Sequence, residues 1–372
     1  MMLLTPGPVP LPGYVHEAMA RPIIPHRAPG FEAFYREILS GLKYLFQCRE
    51  GAVCTMACSG TGAVEAAMYS LFGKGDKIAI LSNGKFSERW NQYGKSLGCE
   101  ICSLELDWGK VAGADALCEL AEGCKGIVLT HCETSTGACL DLEEVAIALR
   151  RAYPEILIVV DGITTIGAQA FYFDDWEIDL AVVASQKALM APAGLCAFAV
   201  SRRAEKVMQD RSRSEYLFLG NYLQAASKNT YPFTPPLVQL YALDAVLQNL
   251  LEASLPQWWN RSRIASAEFR ARLLAHGGTL FPERSSDSLS VFQLPGADHG
   301  KLRQMWASDG YILAGGQEKL TGKVLRISHM GLAAGLDLDA FWNYFAKKQD
   351  SPALTATQVA LRNLQKQAGL FG

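Results

Sequence analysis

The chain has no surplus of either charge: 35 basic residues stand against 37 acidic ones, a formal net charge of −2. Only 19% of its 372 residues are charged at all. Nucleic-acid binding rests on a basic excess that releases phosphate counterions, so that class of partner is excluded. No apolar run approaches the ~18 to 20 residues that a membrane span requires. The start, Met1-Met2-Leu3-Leu4-Thr5-Pro6-Gly7-Pro8, lacks the basic region and sustained apolar segment of a signal peptide. These absences predict a cytoplasmic protein with neither a membrane nor a nucleic-acid partner. Cysteine is missing beyond Cys196; the ten that occur lie at 48, 54, 58, 99, 102, 118, 124, 132, 139 and 196. Several sit inside apolar runs and read as reduced, buried thiols. Cys99-Glu100-Ile101-Cys102 is a single CxxC with no second pair and no histidine at ligand spacing, so no metal site is expected.

What is present is the composition of an α/β enzyme, 49% hydrophobic with 33 glycines, and long enough for one large core and a smaller second unit. From about Gly51 to Ser201, short apolar runs alternate with amphipathic stretches. Strands are expected at Val53 to Ala57, Lys77 to Leu81, Gly126 to Thr130, Ile156 to Val160, Leu180 to Ala184 and Leu195 to Val200. Helices are expected at Ala63 to Phe72, Phe86 to Leu97 and Leu142 to Tyr153. That alternation predicts a mostly parallel sheet with helices on both faces. Beyond residue 255 the pattern changes to a long charged helix, Arg261 to His276, then strand, helix and strand, a separate α+β unit. The expected domains are 15–254 (large), 1–14 with 255–350 (small), and a tail helix at 351–372.

Chemistry is suggested by Ala184-Ser185-Gln186-Lys187, which puts one lysine directly after the buried run Leu180 to Ala184. Burial disfavours an ammonium and leaves a nucleophilic amine; a strand-end lysine can also simply snorkel to water. Asp161 ends the run Ile156 to Val160, at the sheet edge where open α/β sheets bind ligands, although a turn-capping Asp before Gly162 has the same look. An anion there suits a protonated ring nitrogen. Cys58-Ser59-Gly60-Thr61-Gly62-Ala63 joins a strand to a helix and offers hydroxyls and free N–H groups to a phosphate. A dinucleotide fingerprint fails, because Glu65 stands where Gly or Ala is needed and no acidic residue ends the next strand.

Taken together, Ser59-Gly60-Thr61-Gly62, Asp161, and Ser185-Gln186-Lys187 with Pro192 and Gly194 resemble the class V (fold type I) pyridoxal-phosphate aminotransferases. Within that class the alanine–glyoxylate and serine–pyruvate branch is the most similar, from Thr5-Pro6-Gly7-Pro8 to Thr321 through Ile327. The resemblance implies a fold type I large domain with a mostly parallel seven-stranded sheet, a smaller α+β C-terminal domain, and pyridoxal 5'-phosphate as cofactor. It implies that Lys187 forms the Schiff base and that Asp161 pairs with the ring nitrogen. Ser59, Gly60, Thr61 and Gln186 would hold the phosphate, Phe86 would stack on the ring, and Thr134 would bond the phenolic oxygen. Tyr231 and Thr234 would reach the phosphate from a partner subunit, giving a homodimer with shared sites. Arg326 would grip the α-carboxylate of amino acid and 2-oxo acid substrates.

Two departures bear on substrate. Pro25-His26-Arg27-Ala28-Pro29 differs from the alanine–glyoxylate pattern, and His26 and Arg27 resemble a pair that lies near a distal anionic group in phosphoserine aminotransferases. Arg27 would then read a second carboxylate, as in aspartate; a structural pair under the N-terminal arm is the other reading. Cysteine desulfurases carry His before the lysine and a late nucleophilic cysteine, and here Gln186 precedes Lys187 with no cysteine after Cys196. The expected activity is transamination from alanine or serine, or aspartate, to glyoxylate or pyruvate in ping-pong order. The alternatives are a 2-aminoethylphosphonate–pyruvate transaminase, with which Glu133 through Gly137 is compatible, and a non-catalytic subunit of an oxidoreductase complex.

Overall fold

A computed structural model describes residues 1–211, 215–335, 339 and 342. Seven strands form the main sheet: β1 (Ala52–Met56), β2 (Lys77–Ser82), β3 (Glu100–Glu105), β4 (Gly126–Thr130), β5 (Leu157–Asp161), β6 (Leu180–Ala184) and β7 (Cys196–Val200). Their spatial order is β1-β7-β6-β5-β4-β2-β3. All pairings are parallel except those of β7, which runs antiparallel to both β1 and β6. The protein therefore has the α/β fold type I architecture expected of it. β4 through β7 are buried along their whole length, which is why each reads as an unbroken apolar run between helix-covered faces.

One strand of this main sheet was not foreseen. β3, Glu-Ile-Cys-Ser-Leu-Glu, is an edge strand that alternates between exposed and half-buried positions, so it carries no continuous apolar signal. Cys99 and Cys102 of the CxxC fall at this edge, and all ten cysteines are free thiols.

A second, four-stranded antiparallel sheet is built from Thr279–Leu280, Leu289–Gln293, Leu325–Ser328 and Ala314–Gly315. Its own core joins Phe269, Leu273, Phe292, Trp306, Leu325 and Ile327, and Leu4 of the N-terminal arm is buried in it. The arm is tied down by pairing Met2–Leu3 in parallel with Tyr311–Ile312. The stretch 351–372, expected to be a tail helix, lies outside the described residues.

Candidate active site

The parallel strands point their carboxyl ends to one edge, and the segments leaving that edge carry the candidate side chains. β1 runs into Ala57-Cys58-Ser59, β2 into Asn83 through Phe86, and β4 into His131 through Gly137. β5 ends on Asp161 itself, and β6 runs into Ser185-Gln186-Lys187.

The Lys187 amine donates to the Pro6 carbonyl at 2.6 Å. Burial lowers its pKa to about 8; Arg326 adds to the fall and Asp161 partly opposes it. The arm is held against the same turn by the Val9 N–H, which donates to the Gln186 carbonyl at 3.1 Å. Gly7, between them, has φ +120°, and a Cβ there would stand 2.6 Å from Lys187 Nζ. Only glycine fits.

Asp161 is 8% exposed, and burial lifts its carboxyl to about 6, with the Ile163 N–H pulling the other way. That N–H donates to Oδ1 at 3.0 Å. Glu133 raises the Asp161 pKa further, whereas Lys187 and His131 lower it.

Ser59 caps the helix Gly60–Leu71: its Oγ accepts from the Gly62 N–H at 3.2 Å and its carbonyl from Ala63 at 2.9 Å. The Gly60 and Thr61 amides precede the first intrahelical bond and point out of the helix start. Thr61 Oγ1 accepts from Arg89 Nη1 at 3.3 Å, and the Arg89 guanidinium lies 5.0 Å from the Phe86 ring centre. A cation thus joins the cradle to the ring expected to stack, a link that sequence reasoning missed. Thr134 is buried, with its hydroxyl 2.5 Å from that of Thr164. Arg326, 6% exposed, donates from Nη1 to the Thr134 carbonyl at 3.1 Å and from Nε to the Gly315 carbonyl at 2.9 Å. Free N–H bonds remain on Nη1 and Nη2, the end-on fork that suits a carboxylate. Burial brings its pKa down to about 10, against the opposing charge of Glu133.

The remaining expected residues are placed differently from one another. His26 packs edge-on to Phe31 at 6.3 Å, while Arg27 is exposed and has no hydrogen bond or ion pair among the described residues. Tyr231 lies in the interior of its own chain: its hydroxyl accepts from the Ala57 N–H at 3.0 Å and its ring packs on Tyr35 and Tyr222. A Tyr231 so engaged faces the root of its own phosphate cradle. Thr234 is exposed. Gln186 is half-buried beside Lys187.

Glu133 and the Pro6-Gly7 pair also went unassigned from sequence. The Thr5-Pro6-Gly7-Pro8 quartet was visible, but its contact with Lys187 spans 181 residues and has no periodic trace.

The family model "Aminotransferase class-V" matches residues 23–333. The chain is 34% identical to the soluble hydrogenase 42 kDa subunit of Anabaena cylindrica, covering 91% of this chain and 90% of that protein. It is 30% identical to the serine–glyoxylate aminotransferase of Methylorubrum extorquens, covering 88% and 86%. Among solved structures, an aspartate aminotransferase of subgroup IV from Thermus thermophilus superposes with a TM-score of 0.85 at 32% identity, over 93% of this chain and 97% of that one. The chain belongs to the class V aminotransferases, enzymes that depend on pyridoxal phosphate.

Proposed function

We propose that this enzyme moves the amino group of a small amino acid, alanine or serine, to glyoxylate or pyruvate, both substrates sharing one site in turn. The observation that carries this reading is the single buried arginine beside Lys187. Arg326 offers one end-on fork, enough for an α-carboxylate, while Arg27 is exposed and has no hydrogen bond or ion pair among the described residues. The Methylorubrum relative, named a serine–glyoxylate aminotransferase, supports the same substrates.

The donor set fits pyridoxal phosphate. Gly60 and Thr61 present free amides with a cation near by, Asp161 presents a buried carboxylate with one partner on Oδ1, and Lys187 presents an amine of lowered pKa. When bound, the cofactor supplies a conjugated electron sink for charge developing at the substrate's Cα. Arg326 fixes the substrate carboxylate, so the Cα–H bond is aimed at Lys187. Lys187, as a neutral amine, would take the Cα proton and deliver it to the cofactor side of the substrate nitrogen, and carry it the opposite way for the second substrate. Asp161 would hold a proton at the cofactor's ring nitrogen. The Pro6 carbonyl receives the amine between these events, which keeps it beside the reacting carbon.

We propose further that Thr234 reaches a partner's phosphate across a homodimer interface; its exposure and the Tyr231-Pro232-Phe233-Thr234 match support this. Sedimentation should then give a dimer, and Thr234→Val should weaken cofactor binding without changing sedimentation. A dicarboxylate donor is the second reading, favoured by the likeness to the Thermus aspartate aminotransferase. Alanine, serine and aspartate assayed against glyoxylate, pyruvate and 2-oxoglutarate separate the two. Turnover of aspartate alone would contradict the first reading.

A further inference from the structure

Glu133 is 0% exposed, yet its carboxylate lies among backbone donors from two different loops. One oxygen, Oε2, accepts from the Phe86 N–H at 3.0 Å and the Ser87 N–H at 2.8 Å. The other, Oε1, accepts from the Ser135 N–H at 3.0 Å and the Ser135 hydroxyl at 2.7 Å. The Ser135 hydroxyl oxygen in turn accepts from the Lys85 N–H at 3.1 Å. Three consecutive amides of the segment carrying Phe86 are thereby tied to the loop carrying Thr134. That loop's Thr134 carbonyl is also where Arg326 is anchored. The fit leaves no slack: a Cβ on Gly84 would stand 2.3 Å from the Glu133 Cγ.

A buried carboxylate with four donors is expensive to disturb, because each donor left unpaired retains its desolvation cost. It is also a counter-charge to Arg326, whose guanidinium it stabilises against burial.

We propose that Glu133 is a positioning residue of this site, a carboxylate clamp that holds the segment carrying Phe86 to the loop carrying Thr134 and tempers the pull of Arg326 on carboxylates. The inference rests on the cofactor reading given above. It separates two effects that a generic packing defect would merge. Losing the clamp frees Phe86 and weakens the cofactor. Losing the charge removes the counter-charge to the Arg326 cation, so a substrate carboxylate meets a more positive field there and binds more tightly.

The test uses the full-length protein in apo and loaded forms. Pyridoxal phosphate affinity of the apo protein, visible circular dichroism of the bound cofactor, and separate kcat and KM are measured for Glu133→Gln and Glu133→Asp. Glu133→Gln should bind pyridoxal phosphate about ten- to a hundredfold more weakly, as befits the loss of charge-assisted hydrogen bonds. Its visible dichroism should fall, and at saturating cofactor its kcat should drop while KM for the amino acid stays level or decreases. Glu133→Asp keeps the charge but withdraws the oxygens by one methylene; it should share the weak cofactor binding with an unchanged KM. Should Glu133→Gln fail to fold, Gly84→Ala displaces the same carboxylate without removing it and should reproduce the weak binding and lost dichroism. Wild-type cofactor affinity and dichroism in Glu133→Gln or Gly84→Ala would overturn the proposal, as would a rise in KM matching the fall in kcat. A wild-type protein that fails to bind pyridoxal phosphate would instead overturn the underlying cofactor reading.

Discussion

Lys187 and Pro6 are joined by a 2.6 Å hydrogen bond between the lysine amine and the proline carbonyl, 181 residues apart in the chain. The N-terminal arm is therefore a wall of the candidate site, and a Cβ on Gly7 would stand 2.6 Å from the lysine amine. Gly7→Ala should fold, since the arm is also anchored at Met2–Leu3 and Val9, but its methyl group would occupy the space of the lysine amine. The expected outcome is a folded protein with a lowered melting temperature, reflecting the strained backbone, whose cofactor linkage and turnover fall by at least tenfold. Wild-type turnover in Gly7→Ala would show that the arm is not part of the site.

The lowered pKa of Lys187 sets a pH dependence. Burial brings it from 10.5 to about 8, so the neutral amine grows about tenfold per pH unit below that point and then levels. Stopped-flow uptake of pyridoxal phosphate by the apo protein should follow that curve between pH 6 and 9.5. A rate still climbing at pH 9.5 would indicate a solvated lysine.

Asp161 has the opposite bearing on stability. Its carboxyl is raised from 3.8 to about 6, so the folded apo protein binds more protons than the unfolded chain between those values. Its contribution is fully present below about pH 4 and is lost as pH rises through 6, an effect on the order of 3 kcal/mol at most. Asp161→Asn should therefore melt no lower than wild type at pH 7.5 as apo protein, yet transfer amino groups several orders of magnitude more slowly. A variant that is destabilised as apo protein and fully active once loaded with cofactor would contradict the placement of this carboxylate.

Substrate choice turns on Arg326 and Arg27. Arg326→Ala should weaken alanine, serine and aspartate alike, by ~10 to 150-fold for a lost charged hydrogen bond. Arg27→Ala should leave alanine and serine unchanged, because Arg27 is exposed and has no partner within the described chain. A selective loss of aspartate turnover in Arg27→Ala would revive the dicarboxylate reading.

The sheet was legible because buried parallel strands are written as uninterrupted apolar runs: Gly126–Thr130 and Leu180–Ala184 were placed to the residue. The candidate loops were legible through their fixed place after those strands, which is why Asp161, Lys187 and Ser59 were named from sequence. β3 was missed because an edge strand with one wet face mixes Glu and Ser into its pattern. Glu133 and Gly7 were missed for a different reason. Their work lies in hydrogen bonds and close approaches between segments far apart in the chain, and a lone buried carboxylate looks the same in sequence as a solvated one.

The central claim is that Lys187 carries the cofactor. Incubating the protein with pyridoxal phosphate, reducing with borohydride and mapping the digested peptides tests it directly. The account predicts a yellow protein whose reduced pyridoxyl group sits on the peptide containing Ser185-Gln186-Lys187, with no label and no transamination in Lys187→Ala. A label on another lysine, or undiminished turnover in Lys187→Ala, would contradict it.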